Sequence, residues 1–143
     1  MTIDQISVFV ENEAGKLAGV TKVLADAGID LRAMSIADTR DFGILRMIVD
    51  DTGGAIEALK AADYVTLTSK VIAAKIEDRP GGLASVLTAL SEAGVSMEYL
   101  YAFVSRREGN AYVVLRVEDT EGAVSALRGK NVDLVGAEDL SAS

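Results

Sequence analysis

At 143 residues and 15.0 kDa, the chain sets 14 basic against 22 acidic side chains; its formal charge of −8 and pI near 4.5 would repel a phosphate backbone and argue against nucleic-acid binding. Cysteine and histidine are absent, which removes disulfides, thiolate nucleophiles, imidazole bases and the usual zinc, nickel and copper ligand sets, so no metal or cofactor site is expected. Half the residues are hydrophobic and the mean hydropathy is +0.27, yet no apolar run approaches the roughly 20 residues that span a bilayer, and Met1 to Gln5 lacks the basic start of a secretory signal; no membrane association and a cytoplasmic location are expected.

Ile6, Val8 and Val10 alternate with Ser7, Phe9 and Glu11, the pattern of a strand covered mainly on one side. After Asn12-Glu13-Ala14-Gly15, the residues Leu17, Val20, Leu24 and Ala27 recur at helical spacing until Gly28, a natural helix stop. Residues 29–38 and 44–49 are β-rich and are separated by residues 39–43, which reads as a hairpin. Asp51 or Thr52 caps a second helix with Ile56 and Leu59 on its inner face, and residues 64–68 form a short fourth strand. Residues 71–76, 83–93, 95–105, 111–117, 122–128 and 132–135 then repeat the same order.

The repetition is visible in the residues themselves. Glu77 to Leu90 aligns on Glu11 to Leu24, placing Gly81 on Gly15 and Leu83 on Leu17, and Ala93-Gly94 falls on Ala27-Gly28 without a gap. Asp119-Thr120 matches Asp51-Thr52 once a two-residue insertion is allowed near residues 107–109, where a hairpin turn belongs. A period of this size fixes how many units share the chain. The order βαββαβ, twice, predicts an α+β protein of two tandem ferredoxin-like units, residues 1–69 and 70–143. Each unit is expected to be a four-stranded antiparallel sheet with two helices on one face. Thr68-Ser69-Lys70 is the only break in an otherwise β-type stretch from Tyr64 to Ile76, which leaves no room for a flexible linker, so packed units are expected.

A strand ending in Asp78-Arg79-Pro80-Gly81-Gly82-Leu83, a helix ending in Ala93-Gly94, and Val95-Ser96-Met97 leading into a hairpin resemble the ACT domain, the small amino-acid-sensing module of regulated metabolic enzymes. Two such units with nothing else attached resemble the stand-alone tandem ACT proteins. The first copy keeps the polar start, the glycine and the leucine of the turn but has Ala14 in place of proline. The resemblance implies a non-catalytic regulator that binds a free amino acid where ACT units meet. It places the ligand against the turn after the first strand, with residues opening the second strand of a neighbouring unit completing the site. Carried onto this chain, the ligand-binding residues are Asn12, Ala14, Gly15, Lys16 and Leu17 in one copy, and Asp78, Pro80, Gly81, Gly82 and Leu83 in the other. Asp30 and Leu31, and Ser96 and Met97, are the strand-opening residues. Binding would change assembly, most simply of a homodimer, or the activity of a metabolic enzyme partner.

The residues suit that role physically. A turn passing directly into a helix leaves backbone N–H groups free at the positive end of the dipole, which suits an α-carboxylate, and glycine lets a ligand approach the main chain. Asn12 and Asp78 stand where a side-chain oxygen could accept a bond from an α-ammonium. The plainer alternatives are a purely structural turn, with Asp78 satisfying local N–H groups, and a purely structural oligomerisation module or an enzyme's regulatory subunit without a ligand of its own. Tyr99, Tyr101 and Phe103 stand where the first copy has Ala33, Ser35 and Ala37; packing explains such a stripe, and a difference in size or preference between two pockets, with Tyr101 lining one, is the functional reading. Gly15-Lys16 lacks the Ser or Thr and the leading glycine of a phosphate loop, and Asp51-Thr52-Gly53 reads as a helix cap. Arg46 and Arg116 read as charges on a solvated strand face.

Overall fold

A computed structural model describes residues 1–11, 13–38, 42–104, 110–136 and 138–139. The elements are β1 (Ile3–Glu11), α1 (Lys16–Asp26), β2 (Leu31–Asp38), β3 (Phe42–Val49), α2 (Thr52–Ala61), β4 (Val65–Glu77), α3 (Gly82–Glu92), β5 (Met97–Val104), β6 (Asn110–Val117), α4 (Thr120–Gly129) and β7 (Asp133–Val135). They form two compact units, Asp4–Ser69 and Lys70–Ser143, the second also taking in Met1–Ile3. Both are ferredoxin-like βαββαβ units.

In the first unit the strand order is β2-β3-β1-β4, and in the second it is β7-β4-β6-β5, so both keep the antiparallel pairing of the split pattern. The expected break at Thr68-Ser69-Lys70 does not occur. One strand, β4, runs through all three residues. β-branched threonine favours an extended backbone, and Thr66 and Thr68 carry the strand into this polar stretch. Both copies carry the same irregularity in their second strand, a register shift between Leu31 and Ala33 and between Met97 and Tyr99. The turn insertion near residues 107–109 lies outside the described residues.

Register decides which residues meet the helices. Ile6 opposite Met47 and Val8 opposite Leu45 pack with Val20 and Leu24 of α1 and Ala55 and Leu59 of α2 to make the first core. The second core repeats it with Ile72 opposite Leu115, joined by Val86, Leu90, Ala123 and Leu127. The helix ends are specified locally. The Asp51 carboxylate accepts the Gly54 N–H at 3.0 Å and that of Asp119 accepts the Gly122 N–H at 2.9 Å, capping α2 and α4. Past α1, the Gly28 N–H reaches Ala25 O and the Ile29 N–H reaches Leu24 O; Gly94 and Val95 repeat the pair after α3, which turns the chain sharply into the next strand.

Two expectations about side chains change. Arg116 is no freely solvated charge: its guanidinium lies 3.4 Å from the Glu98 carboxylate and donates to Lys70 O at 3.2 Å. Arg46 is half-buried and likewise has a partner. The aromatic stripe lies on the sheet face away from the helices, with Tyr101 opposite Val114 and Phe103 stacked on Tyr112 at 5.1 Å. Tyr101 is buried there.

Candidate functional site

The second turn is built almost entirely from main chain. The Arg79 N–H bonds to Glu77 O at 2.9 Å and the Gly82 N–H to Arg79 O at 3.1 Å, so the chain folds tightly onto the end of β4. Gly81 sits at φ 91 and ψ −13, a left-handed conformation in which a Cβ is disfavoured, and it opens α3 with no side-chain cap. Gly82 is needed for a different reason. A Cβ there would stand 2.3 Å from Glu77 O, so the turn closes only because that atom is missing. Ser85 returns both its N–H and its hydroxyl to Gly81 O, at 3.0 and 3.1 Å.

With the Gly82 N–H bonded to Arg79 O, the N–H groups of Leu83 and Ala84 at the positive end of α3 have no partner among the described residues, beside an exposed Asp78. Among the described residues the Asp78 carboxylate makes no hydrogen bond or ion pair, so it does not serve the local N–H groups as a purely structural turn residue would. Arg79 instead pairs with Glu77, and Pro80 is exposed on the rim. Leu83 turns back onto the second core. Between this turn, the start of α3 and the α4–β7 connection lies a cleft of about 380 Å³, within the size range of small-ligand sites.

The first turn reproduces the frame with less closure. Gly15 is left-handed at φ 86, and α1 also begins without a side-chain cap. The Lys16 N–H reaches Glu13 O at 3.3 Å, the slightly longer bond expected where a residue with a Cβ replaces Gly82. Lys16 lies 3.9 Å from Glu11, Ala14 is exposed, and Leu17 borders a recess of about 220 Å³ with Glu13 and Ile36. Asn12 lies outside the described residues.

The strand-opening residues do not join the turns within a unit. Each helix between them has eleven residues, about 16 Å of rise, and places turn and strand opening at opposite ends. Asp30 is engaged: its N–H donates to the Asp50 carboxylate at 2.9 Å, its carbonyl accepts the Asp50 N–H, and its own carboxylate holds Arg32 at 2.9 Å. Leu31 packs on the first core. Ser96 accepts the Glu118 N–H on its carbonyl and keeps an exposed side chain, and Met97 is partly exposed beside it. Sequence reasoning missed Ser85, Asn131 and Val132, which line the cleft of the second unit from separate segments.

Duplicated βαββαβ units, each opening its first helix on a left-handed glycine, define a tandem ACT-domain protein. A family model described as an ACT domain pair matches residues 1–143, and the chain belongs to that family. Its structure is similar to that of protein BT0572 from Bacteroides thetaiotaomicron, at 41% identity and a TM-score of 0.92, over 98% of this chain and 96% of that one. The regulatory subunits of aspartate kinase from Thermus thermophilus and Thermus flavus share the fold at 20% and 19% identity, with TM-scores of 0.61 and 0.62, over 88% of this chain and 91% and 90% of theirs. No curated protein matches the chain. Among the described residues no helix is long and apolar enough to cross a membrane.

Proposed function

We propose that the protein is a non-catalytic regulator that binds a free cytoplasmic amino acid where ACT units meet. The turns at Gly15 and Gly81 would hold the ligand's carboxylate, and a strand opening from a neighbouring unit, at Asp30-Leu31 or Ser96-Met97, would complete the site. The observation that carries this reading is the second turn, where the close approach at Gly82, the uncapped start of α3 and an Asp78 carboxylate without a partner among the described residues coincide. Backbone N–H groups suit the α-carboxylate, and Asp78 suits the α-ammonium. A ligand at 100 times its Kd stabilises the state that binds it by about 2.7 kcal/mol, enough to move an assembly equilibrium such as homodimer formation.

The test is a thermal-shift screen of the whole chain against the common amino acids, with calorimetry on any hit. Selective, saturable stabilisation that is lost in Gly82→Val supports the proposal; a flat screen on a folded protein rejects it. A second reading, a regulatory subunit of a metabolic enzyme, draws on the fold shared with chains that are themselves aspartate kinase regulatory subunits. Its mark would be co-purification with a larger enzyme from the native cell.

A further inference from the structure

The cleft beside the second turn is open at a place that the first unit fills with its own side chain. Gly19 corresponds to Ser85 across the repeat: each follows its left-handed glycine by one helical turn, and each N–H bonds back to that glycine's carbonyl at 3.0 Å. Tyr64 corresponds to Val132 in the same way. Each comes after a residue of positive φ, Asp63 at 66 and Asn131 at 57, and the Tyr64 N–H meets Leu59 O as the Val132 N–H meets Leu127 O, both at 3.0 Å. The main chain therefore holds the two pairs alike, and the units differ here in side chains alone.

In the first unit the Tyr64 ring packs on the core and brings its hydroxyl against α1, 2.8 Å from the point that a Cβ on Gly19 would take. That is closer than such atoms approach, so the phenol keeps this place because residue 19 has no side chain. Glycine is unfavourable inside a helix, and the turn does not call for one there, since Ser85 holds the same position in α3. The pair is thus fitted together, a large group from the β4 side meeting a helix residue cut back to receive it. In the second unit Val132 also packs on the core, but its side chain ends at the γ-methyl groups. The space facing Ser85 stays open and belongs to the cleft of about 380 Å³ that Gly82, Ser85, Asn131 and Val132 help to line. A further recess of about 430 Å³ has the same two residues, Ser85 and Val132, in its wall.

We infer that the two copies are not equivalent sites: Tyr64 is a built-in plug that closes the first, and the chain binds one amino acid, at the second turn, in the cleft that Ser85 and Val132 leave open. The inference rests on the reading that an amino acid binds at a turn, and narrows it to the turn at Gly81. Calorimetry of the full chain with each common amino acid in turn tests it, on the wild type and on three variants. Ser85→Gly with Val132→Tyr gives the second unit the first unit's plug, Ser85→Leu crowds the cleft from an exposed position, and Gly19→Ser with Tyr64→Val is the reverse exchange. The expected result is one amino acid bound per wild-type chain, at least tenfold more weakly in the plugged variant and in Ser85→Leu, and within twofold of wild-type affinity in the reverse exchange. Ser85→Leu alters an exposed residue, so it remains informative if the plugged variant fails to fold by circular dichroism. Two amino acids per wild-type chain, or wild-type affinity in a folded plugged variant or in Ser85→Leu, overturns the inference and leaves the amino-acid reading standing. Binding lost in a folded reverse exchange places the ligand in the first unit and overturns it equally. No binding of any amino acid to the folded wild-type chain removes the reading and the inference with it.

Discussion

Replacing Gly82 by alanine isolates the feature on which the second turn depends. The added Cβ would fall 2.3 Å from Glu77 O, about 1 Å inside normal contact, and the obstacle is backbone rather than a side-chain end that can swing away. The turn must open by a comparable distance, which loosens the 3.1 Å bond from the Gly82 N–H to Arg79 O. Losing such a bond costs about 1 kcal/mol and residual crowding about another 1–2 kcal/mol. Alanine also reduces the freedom of the unfolded chain, which offsets about 0.5–1 kcal/mol. The net loss is about 1–2 kcal/mol, or roughly 3–6 °C in Tm for a chain of this size. Urea unfolding followed by circular dichroism reads it as a lower midpoint at unchanged slope. Lys16→Ala is the control, because the first turn already accommodates a Cβ and its 3.9 Å surface ion pair with Glu11 contributes at most about 0.5 kcal/mol. Wild-type or higher stability in Gly82→Ala would refute the steric argument.

Gly81→Ala and Gly15→Ala meet no neighbouring atom but force alanine into a left-handed backbone, so each is expected to lose about 1–2 kcal/mol in urea unfolding, by similar amounts in the two units. Asp51→Ala and Asp119→Ala each remove a helix cap and should cost about 1 kcal/mol; the caps are far apart in sequence and serve separate cores, so the double variant should show the sum. Leu127→Ala empties a fully buried site in the second core and is expected to cost about 3–5 kcal/mol, measured as the fall in unfolding midpoint.

The fold was legible because the two copies state the same pattern twice. Alternation at Ile6, Val8 and Val10, helical spacing at Leu17, Val20 and Leu24, and the glycines at 28 and 94 each give local instructions that the cores then honour. Asp51 and Asp119 were readable as caps because a cap bonds only a few residues away. What stayed hidden depends on distant neighbours. Thr68-Ser69-Lys70 looks like a break, yet it lies within a continuous strand. Arg116 looks solvated until Glu98 and the Lys70 carbonyl are seen beside it.

The candidate site divides the same way. The turn from Asp78 to Leu83 is contiguous, so its residues could be named from sequence, whereas the need for Gly82 is a distance to Glu77 O that spacing does not reveal. Ser85 comes from α3, and Asn131 and Val132 from the α4–β7 connection, and no local motif joins them. The repeat did hold a signal: setting Gly19 and Tyr64 against Ser85 and Val132 separates the two copies at positions that line the cleft.

Isothermal titration calorimetry of the purified chain against each common amino acid, repeated on Gly82→Val, tests the central claim most directly. The account predicts saturable binding of one amino acid or a small related set to the wild-type protein, weakened at least tenfold in the variant. Absence of binding to a folded wild-type protein, or equal affinity in the variant, would contradict it.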